Sequence, residues 1–346
     1  MINVNQLPKN IYCCLNSGSH VQGIAFDNEH KHVYISFTTR FVKADMDGNI
    51  IGTVNGITGH LGCIDFNEED GKVYGSIEYK HDSIGKHIVN KIGASLADED
   101  AFYIAIFDVD KIDRMDMDAE KDGVMRAVYL PDVLADYSYD EGGVKHRFGC
   151  SGIDGTAIGP VPGAPKGSPS MLMVAYGIYS DLERRDNDCQ VILQYDWRKL
   201  DKVAKPLSQL APHHEGLPFD ERYFVYTGNT TYGIQNLEYD AYTGNYFAAV
   251  YPGQKPEFPN YQLFVIDGSV APKETEGGKL LSLKKEGLFD EKSGTYGYNF
   301  GYGDTGLHSI GNGYFYISHH GHPEKGVYLT NIKLYKYNGT DPFELV

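Results

Sequence analysis

The sequence has few basic residues and no long apolar run. Its 31 Lys and Arg are outnumbered by 47 Asp and Glu, which gives a formal net charge of −16. Because phosphate binding needs a positive surface, this charge argues against a nucleic-acid partner and against adhesion to an anionic membrane. No apolar stretch approaches the length of a membrane span. We therefore expect neither kind of partner, while a protein partner stays open.

Cysteines are also few, their number is odd, and none has the spacing of a paired metal-ligand set. They are Cys13, Cys14, Cys63, Cys150 and Cys189. Free buried thiols in a reducing compartment account for this pattern. The N-terminus lacks the basic region and apolar run of a signal peptide. This favours a cytoplasmic location over a secreted one, with a chain whose signal has been removed as the alternative.

The sequence lacks two common enzyme signatures, a glycine-rich nucleotide loop that leads into a helix and a serine nucleophile elbow. Tyrosine and glycine, in contrast, are abundant, with 27 and 40 residues. Aromatic residues favour strands and glycines mark turns, so this composition indicates an all-β fold. With 41% hydrophobic and 23% charged residues, the chain can also form a packed core.

An apolar strand, a polar turn and a second strand recur along the chain. Three copies align clearly, beginning VQGIAFD at Val21, LGCIDFN at Leu61 and IQNLEYD at Ile234. Two weaker copies begin at Ile153 and Leu307, the last with its turn shortened to Gly-Asn-Gly. Each copy has the pattern of a β-hairpin.

A third strand follows every hairpin, and a fourth strand follows four of the five hairpins. In the fourth copy this fourth strand is predicted at 279–285. The repeat thus predicts one propeller domain of five four-stranded antiparallel blades. The last copy lacks its fourth strand, but residues 10–16 form a spare one that can complete blade 5. It would close the ring, since an open propeller exposes a sheet edge. Deleting residues 1–16 should therefore unfold or aggregate the protein. Within the single domain, 1–346, the blades are expected at about 20–55, 60–130, 151–228, 232–286 and 306–340 plus 10–16.

The third strand of blade 1 ends in Asp-Met-Asp-Gly at 45–48, and its hairpin contains GIAFD at 23–27 and VYIS at 33–36. This pattern resembles the blades of NHL-repeat and lactonase-like propellers, and it extends to blades 2 and 4. Those propellers usually have six or seven blades, whereas five are counted here, so the resemblance implies the fold and no particular activity. Five-bladed propellers include sugar-cleaving enzymes, a nucleotidase and lectins, and none of their diagnostic motifs is present.

Propeller geometry predicts where a functional site should lie. First strands line the central channel, and the loops that enter first strands and leave second strands share one end, called here the channel mouth. The equivalent first-strand positions at this end are Gln22, Gly62, Asp154, Gln235 and His308. Long insertions at 81–100, 131–152, 179–188 and 293–306 also open there. Long loops on one face of a repeat protein mark its binding side.

Three residues at the mouth are candidate catalytic groups. Asp154 and Glu78, from neighbouring blades, offer the paired carboxylates of glycoside hydrolysis, and His308 could transfer a proton or bind a metal. The structural alternatives are a surface ion pair of Glu78 with Lys80 or Arg40 and a histidine that bridges blades 5 and 1. Candidate ligand-binding residues are Gln22, His60, Gln235, Arg40, Tyr79, Tyr179, Tyr251 and His319.

A divalent metal in the central channel is the one cofactor that the sequence suggests, with His308, His320 and His322 as candidate ligands. Hydrogen bonding of these histidines to the backbone or to a substrate is the alternative. An aromatic mouth of mixed charge fits a small polar ligand, in particular a carbohydrate or a sugar acid. Two functions stay open: a hydrolase or lyase for such a ligand, and a non-catalytic module that binds a glycan or a protein.

Overall fold

The computed structural model describes residues 4–15, 19–27, 29, 31–95 and 97–346. It confirms the five-bladed propeller, since five small, mainly antiparallel sheets lie in a ring. Blade 1 contains the strands Val21–Phe26, His32–Phe37, Arg40–Asp45 and Ile50–Asn55, with Met117–Asp118 added at its edge. Blade 2 contains His60–Asn67, Lys72–Tyr79, Ala101–Phe107 and Met125–Tyr129. Blade 3 contains Cys150–Pro160, Ser170–Ile178, Cys189–Tyr195 and Glu221–Tyr226.

Blades 4 and 5 are less regular. Blade 4 contains Thr231–Asp240, Asn245–Tyr251 and Leu263–Ile266. Blade 5 contains Leu307–Gly311, Tyr314–Gly321 and Tyr328–Tyr337, with Asn10–Leu15 and Phe343–Leu345 on its outer edge. Shorter strands occur at Asp140–Glu141, Val144–Lys145, Lys273–Thr275, Gly278–Leu281, Leu288–Asp290 and Thr295–Gly297. The helices are Ser83–Ile92, Pro131–Tyr137 and Trp197–Val203, with 3-10 turns at Val4–Gln6, Val109–Lys111 and Arg147–Gly149. Across the described residues, no helix combines the length and the apolar character that crossing a membrane requires.

Each blade packs against the next through apolar side chains. Because propeller strands are covered on both faces, they are largely apolar, and in Ala101–Phe107 every residue is buried. In the described part of the chain this packing produces five clusters of buried side chains, one between each pair of neighbouring blades. The cluster between blades 5 and 1 closes the ring and includes Ile11, Val21 and Ile332.

Two buried serines also join neighbouring blades. Ser36 Oγ in blade 1 donates to the Gly62 carbonyl of blade 2 at 2.7 Å, and Ser76 Oγ in blade 2 donates to the Asp154 carbonyl of blade 3 at 2.7 Å. Both serines are fully buried. Each ends a Tyr-x-Ser triplet of a second strand, so the sequence repeat places the same bond at two successive junctions.

The N-terminal strand completes blade 5, as the repeat predicts. Asn10–Leu15 pairs antiparallel with residues 328–333, in a continuous register from Asn10 with Lys333 to Leu15 with Tyr328. Its alternate residues Ile11 and Leu15 are buried against blades 5 and 1. The last residue of the predicted strand, Asn16, lies outside the described residues.

The segment predicted as the fourth strand of blade 4 is divided between two blades. Of residues 279–285, the strand Gly278–Leu281 pairs in parallel with Glu221–Tyr226, the outer strand of blade 3. The following residues pair with the third strand of blade 4: Leu283 bridges Ile266, and the Asp267 and Lys284 amides donate to the Ser282 and Val265 carbonyls at 2.8 Å. Lys279 forms an ion pair with Glu221, and Leu281 enters the apolar cluster between blades 3 and 4. The first half of the segment therefore lies on the edge of blade 3 and the second half on blade 4.

Candidate functional site

β-bulges in the first strands of blades 1 to 4 shape the channel mouth. At the same level in each blade, the hairpin pairing skips one or two residues. The skipped residues include Gln22, Gly62, Asp154 and Gln235. A bulge re-aims a side chain that a regular pleat would direct elsewhere. Asn236 Nδ2 of blade 4 donates to the Gln22 carbonyl of blade 1 at 2.9 Å, and because these blades are not neighbours, the bond spans the channel.

Glu78 is the centre of a buried charged cluster at this end. Its Oε1 lies 2.5 Å from Lys80 Nζ and 3.2 Å from His60 Nδ1, and its Oε2 accepts the Ile153 amide at 3.1 Å. Glu78 and Lys80 are 3% and 5% exposed, so their pairing is not the surface ion pair considered from the sequence. Gly152, at φ +128°, makes this packing feasible, since a Cβ there would overlap Glu78 Oε2.

Asp154 approaches the same imidazole from blade 3. Its Oδ1 lies 3.8 Å from His60 Nδ1, and its Oδ2 accepts Gln235 Nε2 at 3.3 Å. No described residue forms a hydrogen bond to Oδ1. Burial raises the pKa of Asp154 to about 7, although the neighbouring His60 opposes the shift. Asp154 can therefore exchange a proton near neutral pH.

The pKa of Glu78 is displaced in the opposite direction. Burial alone would raise it, but the Lys80 ammonium and His60 outweigh burial and hold the pKa of Glu78 below its ordinary value. Burial lowers the pKa of His60, but Glu78 and Asp154 outweigh that effect and raise it. Since an ionised carboxylate only accepts hydrogen bonds, His60 carries a proton on Nδ1 and leaves Nε2 available to a ligand. Two carboxyl groups with divergent pKa values are the usual basis of an acid–base pair.

Helix Ser83–Ile92 forms one side of the rim of the channel mouth. Its N-cap Asp82 accepts the Tyr179 hydroxyl of blade 3 at 3.2 Å. In its last turn, Lys91 donates to the Tyr328 hydroxyl of blade 5. The predicted ligand residue Tyr179 therefore lies at the channel mouth. The helix crosses this end of the channel and links blades 2 and 3 to blade 5.

Acidic and aromatic groups form another part of the rim. Asp304 lies just before blade 5, where its carbonyl accepts Asn236 Nδ2 at 2.9 Å, and burial raises its pKa to about 6. The predicted ligand residue Tyr251 ends the second strand of blade 4 and packs edge-on against Tyr232, with 6.1 Å between ring centroids. Burial, together with the charges of Asp304 and Asp154, raises the pKa of Tyr251.

The expectation that His308 shares the mouth with Asp154 is wrong. His308 pairs with Tyr316 across its hairpin, as Ala25 pairs with Tyr34 in blade 1. His308 is therefore equivalent to Ala25 of blade 1, which lies three residues after the mouth position Gln22. The shortened Gly-Asn-Gly turn explains the error, because the sequence alignment started from the first apolar residue of the strand. Counting back from the Tyr-x-Ser triplet of the second strand gives the correct register.

His308 belongs instead to a second ring, towards the other ends of the first strands. Its Nδ1 lies 3.5 Å from Glu238 Oε1 and 3.9 Å from Asp65 Oδ1. The two rings are separated by a layer that contains Cys63, whose thiol lies 3.3 Å from Asn236 Oδ1. Beside the second ring is a cavity of about 440 Å³.

The predicted metal set of His308, His320 and His322 is therefore not brought together. His320 and His322 lie near the mouth, with ring centroids 6.0 Å apart, and the His320 ring is 4.3 Å from that of His20. Burial and the neighbouring imidazoles lower the pKa of His20 to about 4. Of the described residues, the one group whose ligand atoms converge as metal binding requires is Asp65, Glu238 and His308.

Two further predicted ligand residues lie in blade 1. Gln22 donates from Nε2 to Thr38 Oγ1 at 3.0 Å, which holds its amide against the end of the second strand. Arg40 begins the third strand, opposite Phe37, and is partly exposed. Both residues are at the mouth end of their blade, so their contact with a ligand stays a prediction.

Tyr79 and His319 occupy packed positions. Tyr79 is buried between blades 1 and 2 and donates its hydroxyl to Gln209 Oε1 at 2.8 Å. It therefore does not line the channel mouth. The His319 ring stacks on Tyr302 with 3.9 Å between centroids, and its Nε2 lies 2.9 Å from the Tyr335 hydroxyl. Strand alternation separates it from His320, which explains why only one of these adjacent histidines approaches His20.

Sequence reasoning missed Asp65, Glu238 and Asp304. Asp65 and Glu238 follow the mouth positions Gly62 and Gln235 by three residues. The second ring could therefore have been found by examining the residue three places after the mouth position in each copy of the repeat. Asp304 lies in a glycine-rich loop whose backbone conformation the repeat does not determine. No strand periodicity indicates that its backbone meets Asn236.

Comparisons with known proteins add no function. No family model matches the chain, and no curated protein matches it. Among similar solved structures, a protein of unknown function from Bacteroides caccae is 10% identical, with 76% of this chain and 81% of that chain covered and a TM-score of 0.29. A protein named for a proposed gluconolactonase activity is also 10% identical, with 95% and 94% covered and a TM-score of 0.31. Similarity at this level does not indicate an activity.

Proposed function

We propose that the chain is a hydrolase for a small, neutral, polyhydroxylated ligand bound at the channel mouth, such as a sugar ester, lactone or glycoside. The observation that supports it is the arrangement of Glu78, His60 and Asp154. A carboxylate fixed against one imidazole nitrogen orients the other nitrogen for proton transfer, as in the triads of hydrolytic enzymes. A second carboxyl with a pKa near 7 lies beside the same ring.

In this proposal each group has a separate role. His60 accepts a proton at Nε2 from a water molecule as that water attacks the electrophilic carbon. Asp154, in its protonated form, donates its proton to the oxygen that leaves, so that one water is consumed across one C–O bond. Glu78 remains ionised beside Lys80 and stabilises the imidazolium that forms. Gln235 fixes the orientation of the Asp154 carboxyl.

The charges of the mouth favour a neutral ligand over a sugar acid. Glu78 is already paired with Lys80, while Asp154 and Asp304 are carboxyl groups without a lysine or arginine partner in the described structure. An anionic substrate would bring a like charge to ionised Asp304 and would place a further negative charge beside Asp154. Tyr251 and Tyr179 supply aromatic faces and hydroxyl groups of the kind that contact sugar rings.

The test is hydrolysis of chromogenic esters, lactones and glycosides of neutral sugars, measured with the variants Asp154→Asn and His60→Gln. Both should lower kcat/KM by about 100- to 10,000-fold, the usual contribution of an acid–base group. Wild-type activity should have a bell-shaped pH dependence, with a decline above about 7 because Asp154 loses its proton and a decline at lower pH because His60, whose pKa is raised, takes one up. Asp154→Asn should lack this alkaline decline in its residual activity.

His81→Gln is the matched control. His81 lies just beyond the cluster, is paired with Asp100 at 3.0 Å, and has a side chain that is 39% exposed. It should retain wild-type kcat/KM. Unchanged kcat/KM in a folded Asp154→Asn variant would contradict the proposal. Sugar binding without turnover of any substrate would instead support the non-catalytic module.

A further inference from the structure

The second ring of the channel contains two acids and a histidine at one repeat position. Asp65, Glu238 and His308 each pair across their hairpin with the aromatic residue of the second strand, namely Tyr74, Phe247 and Tyr316. The repeat therefore directs all three side chains to the channel at the same level. One ligand atom from each lies within 4.8 Å of the others. The three residues are 5%, 4% and 8% exposed.

The backbone holds both carboxyl groups in place. Asp65 Oδ2 accepts the Ile158 amide at 2.7 Å, and Glu238 Oε1 accepts the Ser309 amide at 2.7 Å. Fixed outer contacts of this kind orient the ligands of protein metal sites. The carboxyl groups are thus positioned by neighbouring blades and do not depend on each other for their orientation.

The charge of this ring is not balanced by a basic side chain. Glu78 at the mouth has Lys80 as its partner, whereas no lysine or arginine in the described ranges forms a salt bridge with Asp65 or Glu238. His308 Nδ1 faces both carboxyls at 3.9 and 3.5 Å, is buried and forms no hydrogen bond with any described residue. Two close carboxylates and an unpaired imidazole nitrogen are the surroundings that a cation would complete.

We infer that Asp65, Glu238 and His308 bind one divalent transition-metal cation, with Zn²⁺ as the species to test. Zinc is held by imidazole nitrogen and carboxylate oxygen, and sites with three protein ligands keep a position for water or another ligand. The adjoining cavity of about 440 Å³, lined also by Asp27 and Glu69, gives access to that position. Its acidic lining attracts cations.

This site is separate from the proposed acid–base cluster. Cys63 and Asn236 lie between the two rings, and Asp65 contacts neither His60 nor Asp154 in the described structure. The cation would join blades 2, 4 and 5 across the channel. We therefore expect it to stabilise the ring, whatever the result of the activity test at the mouth.

The experiment measures Zn²⁺ binding to full-length, chelator-treated protein by calorimetry and by thermal unfolding. Wild type should bind one equivalent and show a higher Tm with the metal, because a ligand bound only to the folded state stabilises it. Asp65→Asn, Glu238→Gln and His308→Ala should each weaken binding by about 100-fold or more, since even outer contacts of a metal site contribute 10- to 100-fold.

Glu69→Gln is the control, because Glu69 lines the same cavity but is paired with Arg198 at 2.7 Å. It should bind Zn²⁺ as wild type does. Folding of the variants is checked without metal, where Glu238→Gln should melt at or above the wild-type Tm because it removes a negative charge from a close pair. Asp65→Asn should remain folded with a lower Tm, because both Asp65 oxygens accept backbone amides and an amide side chain can accept only one of them. Unchanged affinity in Asp65→Asn, or no saturable Zn²⁺ binding by wild type, would overturn the inference. Neither result bears on hydrolysis at the mouth.

Discussion

Ring closure by the N-terminal strand makes a quantitative prediction for Ile11. This side chain is fully buried in the cluster between blades 5 and 1. Ile11→Ala removes buried methyl and methylene groups from a site surrounded by two blades, and such substitutions cost about 2–5 kcal/mol. Tyr12 on the same strand is 54% exposed, so Tyr12→Ala should change stability by about 0.5 kcal/mol or less.

Urea unfolding measures both variants. The midpoint of Ile11→Ala should fall with an unchanged m-value, which would indicate lost stability without a change in the surface exposed on unfolding. Deleting residues 1–16 goes further, because it uncovers the edge of residues 328–333, and a bare edge promotes aggregation. Equal midpoints for Ile11→Ala and Tyr12→Ala, or a soluble truncated protein with unchanged melting, would refute closure by this strand.

Two more predictions concern the junction of blades 2 and 3. Ser76→Ala leaves the buried Asp154 carbonyl without its side-chain donor, so urea unfolding should show a loss of about 1–3 kcal/mol; no loss would mean that the bond does not join the blades. Asp154 has a folded-state pKa of about 7 against an ordinary 3.8, so its stabilising contribution is complete below pH 4 and disappears as the pH rises through 7. Wild type should therefore lose stability relative to Asp154→Asn over this interval, at about 1.4 kcal/mol per pKa unit, and parallel pH curves would contradict the shift.

The architecture follows from sequence because the repeat carries its own geometry. Strands covered on both faces must be largely apolar, and a hairpin turn fixes which strands pair. The spare strand at residues 10–16 was therefore assigned to blade 5, since each of the other four copies already had a predicted fourth strand. Blade 4 shows the limit of this reasoning. Lys279 forms an ion pair with Glu221 of blade 3, and the sequence pattern of a single strand does not predict such a contact between blades.

The candidate site was predictable in part. The repeat grouped Asp154, Gln235 and His60, whose side chains lie close together in the structure because each is at or near a bulge that recurs at one level. It misplaced His308 by three positions because a shortened turn changes the count from one strand to the next. The divergent pKa values of Glu78 and Asp154 were beyond sequence reasoning, since they depend on how far each carboxyl is buried and on the distance to Lys80.

Ring closure also determines when the fold can be completed during translation. Residue 10 pairs with residue 333, so the strand at residues 10–15 cannot pair until residues 328–333 have been synthesised. At about 5–20 residues per second, the ribosome releases the partner strand roughly 15–65 s after residue 10 is made. During this interval Ile11 and Leu15 have no native cluster to enter, although blades 1 to 3 can already form from contacts close in sequence. Ring closure in the cell thus requires the capture of an early segment by a late one, and residues 10–15 stay accessible to chaperones and proteases until residues 328–333 have been made.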